Sequence, residues 1–332
     1  MTTYTQIKLV ARPEPGPITP ELFEVVKKEI PKAGPGQILV KQTHMSLDPA
    51  MRGWMSPDTD SYVPPVGLGE VMRSSGLGEV VESNSPDFKV GDRVMGMMGW
   101  TEYYLGSGEG LRQVQAGLDA EMALSVFALP GLTATQGLYG FSEPKAGETI
   151  VVSGAAGSVG SIVGQLAKAD GLNVIGVAGS DEKCHWLTKE LGFDGAINYK
   201  TDDIEAKLKA LAPNGIDMYF ENTGGPIQQH VLDHMNAHGR IVVCGMIADY
   251  SVAVPSAGPN WMPIIKKRLN IQGFTMPDHF GEVPALVAKL APYVMAGKIK
   301  YRAHVIDGLE SAIEGMNLLF TGANKGKLIV KL

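Results

Sequence analysis

Apolar positions along the chain fall into two textures. Up to about residue 125 they come as short runs broken by Pro and Gly, with little helical periodicity. Strands are predicted there over 38–43, 78–82 and 93–97, punctuated by Pro64-Pro65, Ser85-Pro86 and Gly91-Asp92. A compact β-rich domain is the natural reading. From about residue 126 strand and helix patterns alternate. Strands are predicted at 149–152, 173–178, 196–199, 217–220, 240–244 and 270–274, and helices at 181–191, 202–211, 226–237 and 281–296. Short, wholly apolar runs such as Asn173-Val174-Ile175-Gly176-Val177-Ala178 fit parallel strands covered on both faces. Repeated β-α units of this kind build a doubly wound parallel, Rossmann sheet. The tail, roughly 298–332, ends in Lys327-Leu328-Ile329-Val330-Lys331 and is expected to return to the first domain as a strand. The expected domains are therefore 1–125 with 298–332, and 126–297.

Residues 149–160, Thr-Ile-Val-Val-Ser-Gly-Ala-Ala-Gly-Ser-Val-Gly, hold the densest chemistry. After the first strand comes a glycine-rich turn, and then Val159, Ile162, Val163, Leu166 and Ala167 mark one face of a helix. Gly154, Gly157 and Gly160 suit a sharp turn, a close backbone approach to pyrophosphate and tight helix–strand packing. The helix start offers free N–H groups and its positive dipole end to phosphates. Forty-one glycines make chance matches common, so the strand–turn–helix frame is what gives the trio its weight.

Composition narrows the classes. The 332 residues suffice for two domains, and the net charge of -6 without a basic block argues against a nucleic-acid partner. The first thirty residues carry prolines and charges in place of a leader-like apolar run, and no stretch approaches the roughly 20 apolar residues of a membrane span. Two cysteines, Cys184 and Cys244, make no disulfide scaffold and fit a reducing cytoplasm.

In an NAD binder the second strand ends in an acid for the adenine ribose diol. Here it ends Val177-Ala178-Gly179-Ser180, while Asp181 and Glu182 fit the first turn of the next helix, where acids favour the dipole. Lys183 lies just beyond, within reach of a 2′-phosphate. A charge-assisted contact there is worth roughly 1.5–3 kcal/mol, about ten- to hundredfold in affinity. A lysine at such a position is ordinarily a solvated bystander; the missing acid tips the reading to NADP (NADPH).

Several motifs in order then carry a resemblance: Ser46-Leu47-Asp48-Pro49 through Arg52-Gly53, Ala155 to Gly160, Gly179 to Lys183, Asn198-Tyr199-Lys200, Glu221-Asn222-Thr223-Gly224-Gly225, Cys244-Gly245 with Tyr250, and Asn324 before Lys325-Gly326-Lys327. The chain resembles, nearly end to end, the zinc-independent medium-chain dehydrogenase/reductases, in the branch of prostaglandin, alkenal double-bond and curcumin reductases. The resemblance implies a GroES-like first domain, a homodimer, and NADPH-dependent reduction of the carbon–carbon double bond of α,β-unsaturated ketones or aldehydes. It assigns the pyrophosphate to Gly157, Ser158, Val159 and Gly160, and the 2′-phosphate to Lys183 and Tyr199. Asn222, Cys244, Gly245 and Tyr250 fall to the nicotinamide half, Phe274, Thr275 and Met276 to a loop flanking it, and Asn324 to a C-terminal cofactor contact. Ala50 stands where the family commonly has Tyr, and Ser251 where Asn is usual. Both departures bear on the substrate pocket.

Hydride delivery to the β-carbon leaves negative charge on the carbonyl oxygen, so the chemistry needs orientation and a hydrogen-bond donor. A tyrosine hydroxyl, ordinarily protonated at pH 7, is suited to this. Tyr250 is the first candidate by its family position, with Tyr62 and Tyr103 behind it; any one of ten tyrosines is more often a packing residue. Solvent water can protonate the α-carbon. Arg52 offers a fork of donors to a substrate carboxylate or pocket carbonyl, or an ion pair to a nearby acid. Trp54 and Trp100 are read first as core, second as pocket walls.

No metal site is expected. A zinc alcohol dehydrogenase needs Cys or His ligands in its first domain, and His44 stands alone there without a cysteine. His230, His234 and His238 recur every four residues on the predicted helix 226–237, opposite Val231, Leu232 and Met235, and so are read as its solvated face. Two competing functions remain: quinone reduction on the same fold, and non-catalytic NADPH binding. The 270–274 strand, late in the sheet, is expected at its edge, where a second copy can pair.

Overall fold

The computed structural model describes residues 2–115 and 117–332. It divides into two compact units, Met1–Ala128 with Ala303–Leu332, and Leu129–Arg302.

The first unit is built on a seven-stranded sheet. Its order is Ala303–Asp307, Lys327–Lys331, Ile38–Leu47, Ser75–Ser83, Arg93–Met97 and Arg112–Gln113, with Tyr103–Gly106 also on Ile38–Leu47. Thr3–Leu9 and Phe23–Glu29, not anticipated from the sequence, form a separate antiparallel pair. The C-terminal strand does return here: Leu328 to Lys331 run antiparallel against Leu47 to His44. A buried ion pair fastens it, with Lys327 Nζ 2.7 Å from Asp48 Oδ1 and donating also to the Leu47 carbonyl. Ser46 donates to the other Asp48 oxygen. Trp54 and Trp100 lie in the core among Met45, Leu47, Met51 and Leu328, and Trp100 stacks on Phe23. Core packing is the outcome for both tryptophans.

The second unit holds a six-stranded parallel sheet in the order Gly195–Asn198, Asn173–Ala178, Thr149–Val152, Ile216–Glu221, Met235–Val243, Asn270–Gly273. The first strand in sequence is thus central, and the order reverses beside it, which opens a crevice beyond the carboxyl ends of the strands. All four residues of Thr149–Val152 are buried, as its apolar run requires. Asn270–Gly273 is an edge.

Three helices differ from their sequence patterns. The one read over 181–191 is α-helical only at Asp181–His185, followed by a π turn, Trp186–Glu190. That read over 226–237 stops at His234, because Met235 already begins the next strand. His238 therefore lies outside the helix, with φ +64°, and the three histidines share no helix face. The pattern at 281–296 is a 3-10 turn, Met276–Glu282, leading into the α-helix Val283–Met295. Among the described residues no helix is long and apolar enough to cross a membrane.

Candidate active site

Gly154 turns the chain at φ +56°, a conformation costly for any residue with a Cβ. A Cβ there would also press on Thr223 Cγ2 at 3.2 Å and Asn222 Cβ at 3.4 Å. At Gly160 a Cβ would lie 2.6 Å from the Gly154 carbonyl oxygen, so only glycine allows the helix to seat on its turn. The helix Ser158–Ala169 starts at Gly157 without a side-chain cap, which leaves its first turn open to an anion. Its buried surface extends beyond the predicted face. Gln165, an apparent surface residue, is buried and exchanges hydrogen bonds with the main chain of Lys300.

At one end of this crevice the second strand stops at Ala178. A Cβ on Gly179 would touch the Tyr199 ring at 3.0 Å, so Tyr199 lies against the strand tip, half-exposed. Ser180 caps the next helix by accepting from the Lys183 N–H at 3.3 Å. Gly179, Ser180, Lys183 and Tyr199 thus form one neighbourhood, as the cofactor reading requires.

At the other end, Asn222 is pinned to the glycine strand. Its N–H donates to Ser153 Oγ at 2.8 Å and its Nδ2 to the Ser153 carbonyl at 2.7 Å. The Cys244 and Gly245 N–H groups donate to the Glu221 carbonyl. Tyr250 accepts from the Met246 N–H at 3.3 Å, with its hydroxyl 3.0 Å from where a Gly245 Cβ would be. Asn222, Cys244, Gly245 and Tyr250 therefore meet at the carboxyl ends of two adjacent strands. Burial, reinforced by the Glu221 carboxylate, pushes the Cys244 thiol up to about 12. Cys244 stays a neutral thiol at physiological pH. Ser251 Oγ is buried with no partner among the described residues.

Behind this end lies a residue to which the sequence reading gave no role. Glu221 is 1% exposed. Its Oε1 accepts from Ser153 Oγ at 2.5 Å, Thr223 N–H at 2.7 Å and Gly224 N–H at 3.0 Å, and its Oε2 from the Tyr219 hydroxyl at 2.6 Å. The carboxylate ties the Asn222–Gly225 turn to two strands. An acid closing the apolar run Met218-Tyr219-Phe220 was the available signal.

The loop 274–276 is split in its roles. Phe274 packs on Phe141 at 5.2 Å between ring centroids. Thr275 is partly buried. Met276 is buried against Leu132 and Leu286, so its side chain serves the core and only its main chain remains for a ligand.

The other predicted positions belong to the first unit. Arg52 is buried and makes no ion pair with an acid among the described residues. Nη2 donates to the Glu14 carbonyl at 2.6 Å, and Nη1 is buried without a partner among the described residues. Tyr62 is exposed, and Tyr103 packs edge-on against Tyr4 at 5.7 Å. Asn324 donates to the Gly326 carbonyl, closing the turn before the last strand. Among the described residues no three His, Cys, Asp or Glu side chains gather in a metal-holding cluster.

Two family models match, described as the N-terminal domain of oxidoreductase over residues 5–114 and zinc-binding dehydrogenase over 158–291. The NADPH-dependent curcumin reductase of Escherichia coli is 39% identical, over 98% of this chain and 95% of that protein. The chain belongs to the zinc-independent medium-chain dehydrogenase/reductase family. The NADP(+)-dependent 2-alkenal reductase of Nicotiana tabacum is 40% identical over 92% of this family member and 90% of its own length. Among solved structures, CurA from Vibrio vulnificus in complex with NADPH superposes with a TM-score of 0.92 at 38% identity, covering 98% of both chains.

Proposed function

We propose that this protein is an NADPH-dependent reductase of the carbon–carbon double bond in α,β-unsaturated ketones and aldehydes. The observation that carries the reading is similarity at 39–40% identity across more than nine-tenths of the chain to reductases named for curcumin and 2-alkenal. The crevice fits the cofactor: an uncapped helix start follows a turn that only glycine can make, between Tyr199 at one end and Asn222 with Tyr250 at the other.

NADPH, when bound, supplies the hydride. Ser158, Val159 and Gly160 would receive the pyrophosphate through main-chain N–H groups, beside Gly157, whose own N–H donates to the Gly154 carbonyl and whose missing side chain would let the phosphate approach. Lys183 with Tyr199 would receive the 2′-phosphate. Asn222, Cys244 and Gly245 orient the nicotinamide half, with Phe274, Thr275 and the Met276 main chain beside it. Asn222 is suited to this because Ser153 holds both its N–H and its side-chain amide. Tyr250 donates its hydroxyl to the oxygen on which the enolate charge develops, directly or through a ribose hydroxyl. Tyr62 and Tyr103 are second-rank substrate-side candidates from the β-rich unit, and by family position Asn324 is a further cofactor contact. Arg52 Nη2 donates to the Glu14 carbonyl, and Nη1 is the donor left for a substrate carboxylate or carbonyl.

The reading extends to a cytoplasmic homodimer that binds no nucleic acid. Unpaired Cys184 and Cys244 suit a reducing compartment, and the Asn270–Gly273 edge supports pairing with a second copy.

The test is NADPH absorbance at 340 nm with a medium-chain 2-alkenal at about 1 mM, beside NADH and a simple quinone. Faster oxidation with the alkenal and NADPH supports the proposal. Turnover of the quinone alone moves the assignment to quinone reduction, and tight NADPH binding without turnover on a broad enone panel moves it to non-catalytic binding. Lys183→Ala is expected to abolish the preference for NADPH over NADH.

A further inference from the structure

The adenine end of the crevice contains a carboxylate that a 2′-phosphate should not tolerate. Asp181 opens the helix directly after the Gly179-Ser180 tip and is exposed, two residues from Lys183. An acid at this tip is what accepts from the ribose diol in NAD binders, and it repels a phosphate placed there. The structure contains a device that holds it elsewhere.

Asn198, at the end of the neighbouring strand and 5% exposed, donates from Nδ2 to Asp181 Oδ1 at 2.8 Å. The orientation of that amide is determined by its surroundings. Its Oδ1 accepts from the Lys200 N–H at 3.2 Å, which leaves Nδ2 to face Asp181. The mount is rigid: the Asn198 N–H donates to Asp202 Oδ2 at 2.9 Å, and its carbonyl accepts from the N–H groups of Thr201 and Asp202. The same turn carries Tyr199, against Gly179, and Lys200, whose ammonium lies 5.8 Å from the Tyr199 ring. The Asp181 charge is felt at Cys184, whose thiol is pushed up to about 11 by burial first and then by the Asp202 and Asp181 carboxylates.

We propose that Asn198 is a positioning residue for cofactor selectivity, which tethers the Asp181 carboxylate away from the ribose so that the strand tip presents Ser180, Lys183 and Tyr199 to a 2′-phosphate. A released Asp181 turns toward the ribose, where it disfavours NADPH by charge and favours NADH by accepting from the diol. The inference rests on the assignment of the 2′-phosphate to Lys183 and Tyr199.

The test is the KM for NADPH and for NADH in wild type, Asn198→Ala, Asp181→Asn, the double variant and Lys183→Ala, with one enone throughout. Asn198→Ala should raise the KM for NADPH about tenfold, the scale of one lost charge-sensitive contact, and lower that for NADH. Asp181→Asn alone should leave the preference nearly unchanged. The double variant should regain the wild-type KM for NADPH, because the carboxylate to be restrained is gone. That rescue is the decisive readout, since a merely structural loss at Asn198 does not recover when Asp181 changes. An unchanged preference in Asn198→Ala, or a loss that Asp181→Asn does not rescue, overturns the tether. Should Asn198→Ala fail to fold, Asn198→Ser keeps an acceptor for the Lys200 N–H while removing the amide donor, and the same comparison applies. Lys183→Ala separates the two ideas: if it leaves NADPH preferred, the 2′-phosphate assignment itself is wrong.

Discussion

Ser153 joins the residues that matter most at the nicotinamide end. Its hydroxyl donates to Glu221 and accepts the Asn222 N–H. Ser153→Ala leaves that N–H without its acceptor and takes one donor from a buried carboxylate, a loss of about 1–3 kcal/mol. The expected result is a lower melting temperature together with a fall in kcat that exceeds any rise in the KM for NADPH. A variant with wild-type kcat would show that the Asn222 turn needs no such anchor. Tyr250→Phe removes only the hydroxyl from a half-exposed ring. Stability should hardly change, while kcat should drop roughly hundredfold, the usual scale for one oxyanion donor. A drop below twofold would free Tyr250 of that role.

At the scale of elements, the Arg240 fork links the fifth strand of the chain's parallel series to the approach of the first. Nη1 and Nη2 donate to the two Glu148 oxygens at 2.9 and 2.6 Å, and Nε donates to the Ser142 carbonyl. Burial alone would raise the Glu148 carboxyl, but Arg240 and the Lys145 N–H outweigh it and hold it below its ordinary 4.5. A carboxyl depressed in the folded state adds stability that is present above the unfolded pKa and drains away as pH falls from there through the folded value. Glu148→Gln should therefore be less stable at pH 7 and show a flatter decline below about pH 4.5 in urea denaturation. Parallel declines in the two proteins would remove Glu148 from the acid response. Elements of this kind mark how far the sequence could be read. The glycine turn and the fully apolar strands were legible because local sterics and period alone dictate them. The end of the helix at His234 was not, since Val231-Leu232-Asp233-His234-Met235 fits a continuing helix and only pairing of Met235 with Ile216 makes it a strand. Glu221 and Asn198 were visible as residues but not as anchors. Their partners Ser153 and Asp181 lie 68 and 17 positions away, and only the folded sheet brings them together.

For the whole molecule, the C-terminal strand is held by the buried Lys327–Asp48 pair, 279 positions apart. Lys327→Met leaves Asp48 buried with a single hydroxyl donor, and a broken buried pair costs about 3–5 kcal/mol. The β-rich unit should then melt at lower temperature, and Lys327→Met with Asp48→Asn should recover part of the loss. Absence of any change in melting would contradict the pair's role. In the segment that leads into the edge strand Asn270–Gly273, Val252, Val254, Trp261, Met262 and Ile265 are all exposed. Apolar exposure of this extent, in a chain with an open sheet edge, supports the proposed homodimer. Sedimentation should give twice the 35.4 kDa chain mass, and Trp261→Asp with Ile265→Asp should give the single chain. The central claim is the reduction of a carbon–carbon double bond by hydride from NADPH. It is tested most directly with NADPH deuterated at the transferring C4 position and a simple enone, reading the product by NMR. Deuterium on the carbon β to an intact carbonyl is the predicted result; deuterium on the carbonyl carbon, or none in the product, would contradict it.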